Sequence, residues 1–102
     1  MPTYDKTETF RRGYEHLSRR DQEQFLAALR SFIEDLEARD AGQASGTPFR
    51  PALRVKRVQG ERGVWEMTWA PDGRATFTYG KPILDDTTHI VWLDIGGHEI
   101  LP

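Results

Sequence analysis

The sequence predicts an α+β fold: an N-terminal α-helical hairpin packed on one face of a twisted, mostly antiparallel sheet of three to four strands. Three observations carry the prediction. Apolar residues in the first half recur at helical spacing, those in the second half alternate with polar ones, and a Pro-Asp-Gly triplet stands between two alternating runs. A chain of 102 residues supports one core, so residues 1–102 read as a single domain.

Phe10, Tyr14 and Leu17 fall at i, i+4 and i+7, one stripe of a short helix. Ser18–Asp21 interrupts it. Asp21, with Gln24 three residues on, reads as an N-cap and its capping-box partner. Phe25, Leu26, Leu29, Phe32, Ile33 and Leu36 then mark a second helix from about Asp21 to Arg39, with Gly42 as its terminator. Residues 40–52, with two Gly and two Pro, read as a loop.

Leu53 and Val55 alternate with Arg54 and Lys56 as a strand would, and Gly60 and Gly63 bracket a turn. Val64–Trp69 and Arg74–Tyr79 form a hairpin around Pro71-Asp72-Gly73. A three-residue loop with Gly73 left-handed closes the pair Ala70–Arg74. That register sets Trp69, Met67 and Trp65 opposite Ala75, Phe77 and Tyr79. Their face packs on the helices, and the other shows Glu66, Thr68, Arg74, Thr76 and Thr78 to solvent. Residues 80–88 read as a loop, and His89–Ile95 as an interior strand that Gly96-Gly97 ends. A short strand near Thr3–Thr7 adds to the sheet edge.

Composition narrows the function classes. Three Trp, three Tyr and five Phe oppose disorder, and no apolar run reaches the length of a membrane span. The polar start carries no secretory signal. With no cysteine, disulfides, thiolate zinc sites and thiol catalysis are excluded. Three histidines without metal-ligand spacing lead us to expect neither metal nor cofactor. These features fit a cytoplasmic protein with no membrane partner. The formal net charge is −2, but residues 50–62 carry Arg50, Arg54, Lys56, Arg57 and Arg62 against Glu61 alone.

If the strands are neighbours, alternation gathers Arg54, Lys56, Glu66, Thr68, Arg74 and Thr76 on one face, with His98 at its end. Cations, a carboxylate and an imidazole suit a phosphodiester: cations stabilise charge on the pentavalent phosphate, and an acid and a base move protons between oxygens. The same set is also what any antiparallel sheet turns to water.

The segments Leu53-Arg54-Val55-Lys56 with Gly60, Val64-Trp65-Glu66 followed by Arg74, and Ile95-Gly96-Gly97-His98-Glu99-Ile100-Leu101 stand in the order and spacing of a known family. Over residues 8 to 101 the chain resembles the RelE/ParE superfamily of type II toxins, in the branch labelled cytotoxic translational repressors. The resemblance implies a helix hairpin on a twisted sheet and a cognate antitoxin as partner. RelE-like members cleave mRNA on the ribosome without metal, the 2′-hydroxyl attacking the adjacent phosphate. ParE-like members instead poison DNA gyrase. Carried over residue by residue, Arg74 stabilises the phosphate, His98 is the general acid for the 5′-oxygen and Glu66 the base on the 2′-hydroxyl. Arg54, Lys56, Arg57, Thr68 and Thr76 bind RNA; at Thr68 relatives often carry arginine. Three readings stay open: a ribosome-dependent endoribonuclease, a gyrase poison, and an inactive member.

Overall fold

A computed structural model describes residues 2–42 and 49–102. Strand β1 (Thr3–Lys6) leads into helices α1 (Glu8–His16) and α2 (Arg19–Asp40). After a 3-10 turn at Pro51–Leu53 come β2 (Lys56–Arg57), β3 (Trp65–Thr68), β4 (Arg74–Tyr79) and β5 (His89–Gly96), and a 3-10 turn at His98–Ile100 follows. The sheet has five strands in the order β1-β5-β4-β3-β2, one or two more than expected. Only β1 runs parallel to its neighbour, β5; the other pairs are antiparallel. The edge strand near Thr3–Thr7 and the interior position of β5 are therefore both as expected.

Both helices begin on hydroxyl caps. Thr7 Oγ1 accepts the N–H of Phe10 at 3.0 Å and donates to the carbonyl of Leu93 at 2.6 Å. Leu93 is the residue left over where the β4–β5 register slips between Thr76 and Phe77, so one hydroxyl caps α1 and ties it to the bulge in β5. In α2 the cap is Ser18, whose Oγ accepts from Asp21 N; Asp21 lies in the first turn, where its charge suits the helix dipole. The N-cap thus lies three residues earlier than the Asp21 capping box indicated. At the far end Gly42 takes φ +75°, the left-handed stop expected of it. The centre of the predicted 40–52 loop, residues 43–48, lies outside the described residues.

The helices cover one face of the sheet. Trp92 of β5 is the hub: its ring centroid lies 5.7 Å from Phe10, 5.8 Å from Phe25, 5.2 Å from Phe32 and 5.4 Å from Phe77. Met67, Trp69, Ala75, Ile90 and Ile95 complete the buried layer, which is the apolar face that the alternation assigns to the helices.

Two expectations fail in this half. Leu53–Val55 is not strand, which begins only at Lys56: Pro51 opens a 3-10 turn, and Arg54 sits at φ 47°, ψ 44°, in the left-handed region. Proline fixes φ and removes an N–H, which favours a turn over a ladder. Leu53 reaches the core from that turn. The hairpin register is also displaced by two residues. Trp69 N–H donates to Gly73 O at 3.1 Å and Gly73 N–H to Ala70 O at 3.0 Å, so Trp65, Glu66, Met67 and Thr68 face Phe77, Thr76, Ala75 and Arg74. A slip of two preserves which face each side chain uses. Gly73 is not left-handed; its role is close approach, since a Cβ there would lie 2.5 Å from the Trp69 ring.

Candidate active site

The polar face of β3 and β4 is a closed floor, not the open surface expected. Glu66, Arg74 and Thr76 are only 6%, 8% and 7% exposed. The 51–55 segment and β2 fold over one side, and Leu101 and Pro102 come alongside Glu66, Lys56 and Val58. What remains is a groove lined by Arg54, Val55, Lys56, Glu66, Thr68 and Arg74.

At the end of this groove β4 begins with Arg74. One guanidinium nitrogen is pinned by carbonyls of its own turn, donating to Gly73 O at 2.9 Å and Ala70 O at 3.3 Å. The other donates to His98 Nε2 at 2.9 Å. A guanidinium has no acceptor, so this ring nitrogen carries the lone pair and Nδ1 the proton. Nδ1 in turn donates to Asp72 Oδ1 in a short bond. That hydrogen bond holds the Asp72 carboxyl below the usual carboxylate range, with a lesser contribution from the His98 backbone N–H. Gly97 makes the approach possible, because a Cβ there would lie 2.6 Å from Asp72 Oδ2 and 2.5 Å from Glu99 Oε2. The result is a chain Arg74–His98–Asp72 spanning the β3–β4 turn and the 3-10 turn after β5.

Glu66 lies deeper in the groove. It faces Thr76 and is a diagonal neighbour of Arg74, a position about 7–8 Å away in an antiparallel pair. Its cationic partner is Lys56, whose Nζ is 3.9 Å from Oε1. Arg54, Lys56 and Thr68 share the groove wall with Glu66 and Arg74. Two expected RNA contacts do not join them. Thr76 is buried beneath the groove. Arg57 turns the other way, its guanidinium lying 5.3 Å from the Trp65 ring centroid, because register pairs it with Trp65 while Lys56 pairs with Glu66. Asp72 is the residue that sequence reasoning missed. A Pro-Asp-Gly triplet reads as a turn, and its second contact, to His98, joins residues 26 apart.

No protein-family model matches the chain, and no curated protein sequence does either. Solved structures do. A crystal structure of a histidine-to-glutamine mutant of YafQ from E. coli superposes with a TM-score of 0.64 at 12% identity, covering 98% of this chain and 97% of that one. A YoeB/ParE toxin from Agrobacterium tumefaciens gives 0.62 at 15% identity, over 94% of this chain and 98% of the other. YafQ in the E. coli DinJ–YafQ toxin–antitoxin complex gives 0.59 at 14%, over 98% and 96%. At no more than 15% identity the likeness is one of architecture: over 94–98% of its length the chain has the fold of YafQ and of the YoeB/ParE toxin.

Proposed function

We propose that the protein is the toxin of a type II toxin–antitoxin pair and acts in the cytoplasm as a metal-independent endoribonuclease on ribosome-bound mRNA. The observation that carries this is the hydrogen-bonded chain Arg74–His98–Asp72 at the mouth of a groove holding Arg54, Lys56 and Glu66. In the reaction the 2′-oxygen bonds to phosphorus while the bond to the 5′-oxygen breaks. One proton leaves the 2′-hydroxyl and one reaches the 5′-oxygen. Glu66 accepts the first and His98 supplies the second. A bound phosphate takes the place of Arg74 at His98 Nε2, the ring takes up a proton from water at that nitrogen, and both groups then donate to the phosphate oxygens. Asp72 keeps the ring oriented and balances the charge of the imidazolium. Arg74 neutralises charge that grows on the phosphate in the transition state, where a fixed donor lowers the barrier most. Lys56 and Arg54 hold the flanking backbone. Mixed RelE/ParE-like neighbours and the DinJ–YafQ complex support a cognate antitoxin as partner.

Primer extension on translated mRNA tests the reading. The wild-type protein is expected to cut within codons. Arg74→Ala and His98→Ala are each expected to lose about 10²–10⁴ in rate, the usual contribution of one aligned acid, base or oxyanion donor. Growth arrest that survives both substitutions, with inhibition of purified gyrase in a supercoiling assay, selects the ParE-like action instead.

A further inference from the structure

β1 is an outermost strand of the sheet, and among the described residues nothing pairs with its outer edge. Its backbone groups alternate in direction. Thr3 N–H donates to Thr88 O and Thr7 N–H to Trp92 O, each at 3.0 Å, so Thr3, Asp5 and Thr7 face β5. The N–H and C=O groups of Tyr4 and Lys6 therefore point outward, a template for a further strand. Side chains hold β1 in place from within. His89, 5% exposed, donates from Nε2 to Asp5 at 3.1 Å and accepts from the Thr3 hydroxyl at Nδ1, 2.7 Å away. A strand fixed in this way has little order left to lose on pairing.

Tyr4 and Lys6 pair with Ile90 and Trp92, so their side chains stand on the helix side of the sheet. The helices do not cover them. The Phe32 ring of α2 packs 5.1 Å from Phe77 and 5.2 Å from Trp92, over β4 and β5. Between α2 and β1 this leaves an apolar groove of about 220 Å³. Ile90 and Trp92 line its floor, and Leu26, Leu29 and Ile33 line its α2 side. Tyr4, 65% exposed, and Leu26, 49% exposed, flank its mouth. Lys6 is the one charged residue lining it, and among the described residues Lys6 makes no ion pair.

We propose that this edge and groove are a docking site for an extended segment of a second protein, in which a bulky apolar residue stands two positions from an acidic one. The main chain of the segment pairs with Tyr4 and Lys6, and its side chains opposite those two fall on the helix side. The apolar one enters the groove beside Leu26 and Leu29. The acidic one meets Lys6, a favourable cross-strand pair. The residue between them faces Asp5 on the other side of the sheet, which disfavours a second acid there. Naming the second protein as the antitoxin rests on the toxin reading; the surface itself does not. It lies at the sheet edge opposite β2 and Lys56, so the segment anchors its protein without filling the RNA groove.

The test uses the full-length protein, labelled with 15N, and a short synthetic peptide of threonines carrying one leucine and one glutamate two positions apart. Amide hydrogen exchange at Tyr4 and Lys6 is expected to be fast in the free protein and to slow as the peptide saturates. The same peptide N-methylated on the amides that face β1 is expected not to bind. Lysine in place of its glutamate is expected to weaken binding about two- to fivefold, the range of one cross-strand charge pair, and Lys6→Glu to reverse that preference. Leu26→Ala is expected to weaken binding about four- to tenfold, for the half of a leucine side chain that docking covers. Exchange at Tyr4 and Lys6 that the peptide leaves unchanged, equal binding of the N-methylated peptide, or a charge preference that survives Lys6→Glu overturns the docking site. Protection of both amides in the free protein that grows with its concentration also overturns it, because a second copy then occupies the edge. Peptide binding by a protein whose expression leaves growth untouched keeps the site and removes the toxin reading. Growth arrest by a protein that ignores the peptide keeps the toxin and removes the site.

Discussion

Asp72 shows how one residue changes meaning once the chain is folded. As part of Pro-Asp-Gly it is a turn former; against His98 it fixes which ring nitrogen holds the proton. Its carboxyl is depressed below the ordinary 3.8 because the ionised form accepts hydrogen bonds from the imidazole and the His98 N–H. The stabilisation this gives is full above the unfolded value and is lost as pH falls through the lower folded one. Carboxyl NMR is therefore expected to place the Asp72 midpoint below 3.8 in the wild type, and His98→Ala to raise it back toward 3.8. An ordinary wild-type midpoint shows that the bond does not form in solution. The shared face of Arg74 and Glu66 was legible in the sequence because a charged residue among alternating apolar ones declares its face; His98, beyond Gly96-Gly97, came only from its place after the last strand and from the resemblance. Asp72 was not, because its role depends on Gly97 letting two distant turns touch. Thr76 and Arg57 misled for a related reason: alternation gives the face of a residue, not what later folds over that face or how far the strand extends.

Elements were legible where side-chain periodicity is strong, and displaced where a single backbone preference decides. The stripes of α1 and α2 and the apolar run of β5 were placed to within two residues. The 51–55 segment went astray because Pro51 outweighs four residues of alternation, and the hairpin slipped because Gly73 packs flat on Trp69 instead of turning left-handed. Gly13 is the counterpart in a helix. Mid-helix glycine costs about 1 kcal/mol against alanine, so on propensity alone Gly13→Ala should stabilise the protein. Yet α1 crosses β5 so closely that a Cβ at Gly13 would lie 2.7 Å from the carbonyl oxygen of Ile95 and 3.0 Å from its Cγ2. The first of these is backbone in a central strand and cannot swing away. Gly13→Ala is therefore expected to destabilise by about 1–3 kcal/mol, the cost of overpacking, read as a lower urea midpoint. A higher midpoint shows that α1 rides further from the sheet. The consequence reaches the site, because α1 packs on the end of β5 that carries Gly97 and His98.

For the whole molecule the question is how a chain of net charge −2 would hold the polyanion of the proposed reaction. Charge is sorted along the fold. Arg54, Lys56 and Arg74 line one groove, while Asp85 and Asp86 sit on the exposed loop at the other end of β4. Arg11, Arg12 and Arg19 of the helices and Arg50 beyond them are paired at the surface: Arg11 with Glu8 and Glu15, Arg12 with Glu8, Arg19 with Glu23, Arg50 with Glu34 and Asp35. Such exposed pairs add little stability, but they withdraw positive charge from competition for phosphate. Three groove cations set the number of phosphates neutralised. For single-stranded RNA each contributes about −0.7 to the slope of log K against log salt, so the expected slope is about −2. Lys56→Ala is expected to reduce its magnitude by about 0.7. Arg30→Ala, exposed on α2 and outside the groove, is expected to leave it unchanged. Fluorescence anisotropy of a labelled oligonucleotide between 50 and 200 mM salt, a range over which such slopes are roughly linear, makes the measurement. A slope near zero with intact affinity means that binding is carried by bases alone. A slope much steeper than three contacts allow means that RNA runs over a second basic surface, and Arg57 and Arg39, stacked on Trp65 and Tyr79, are the cations standing there.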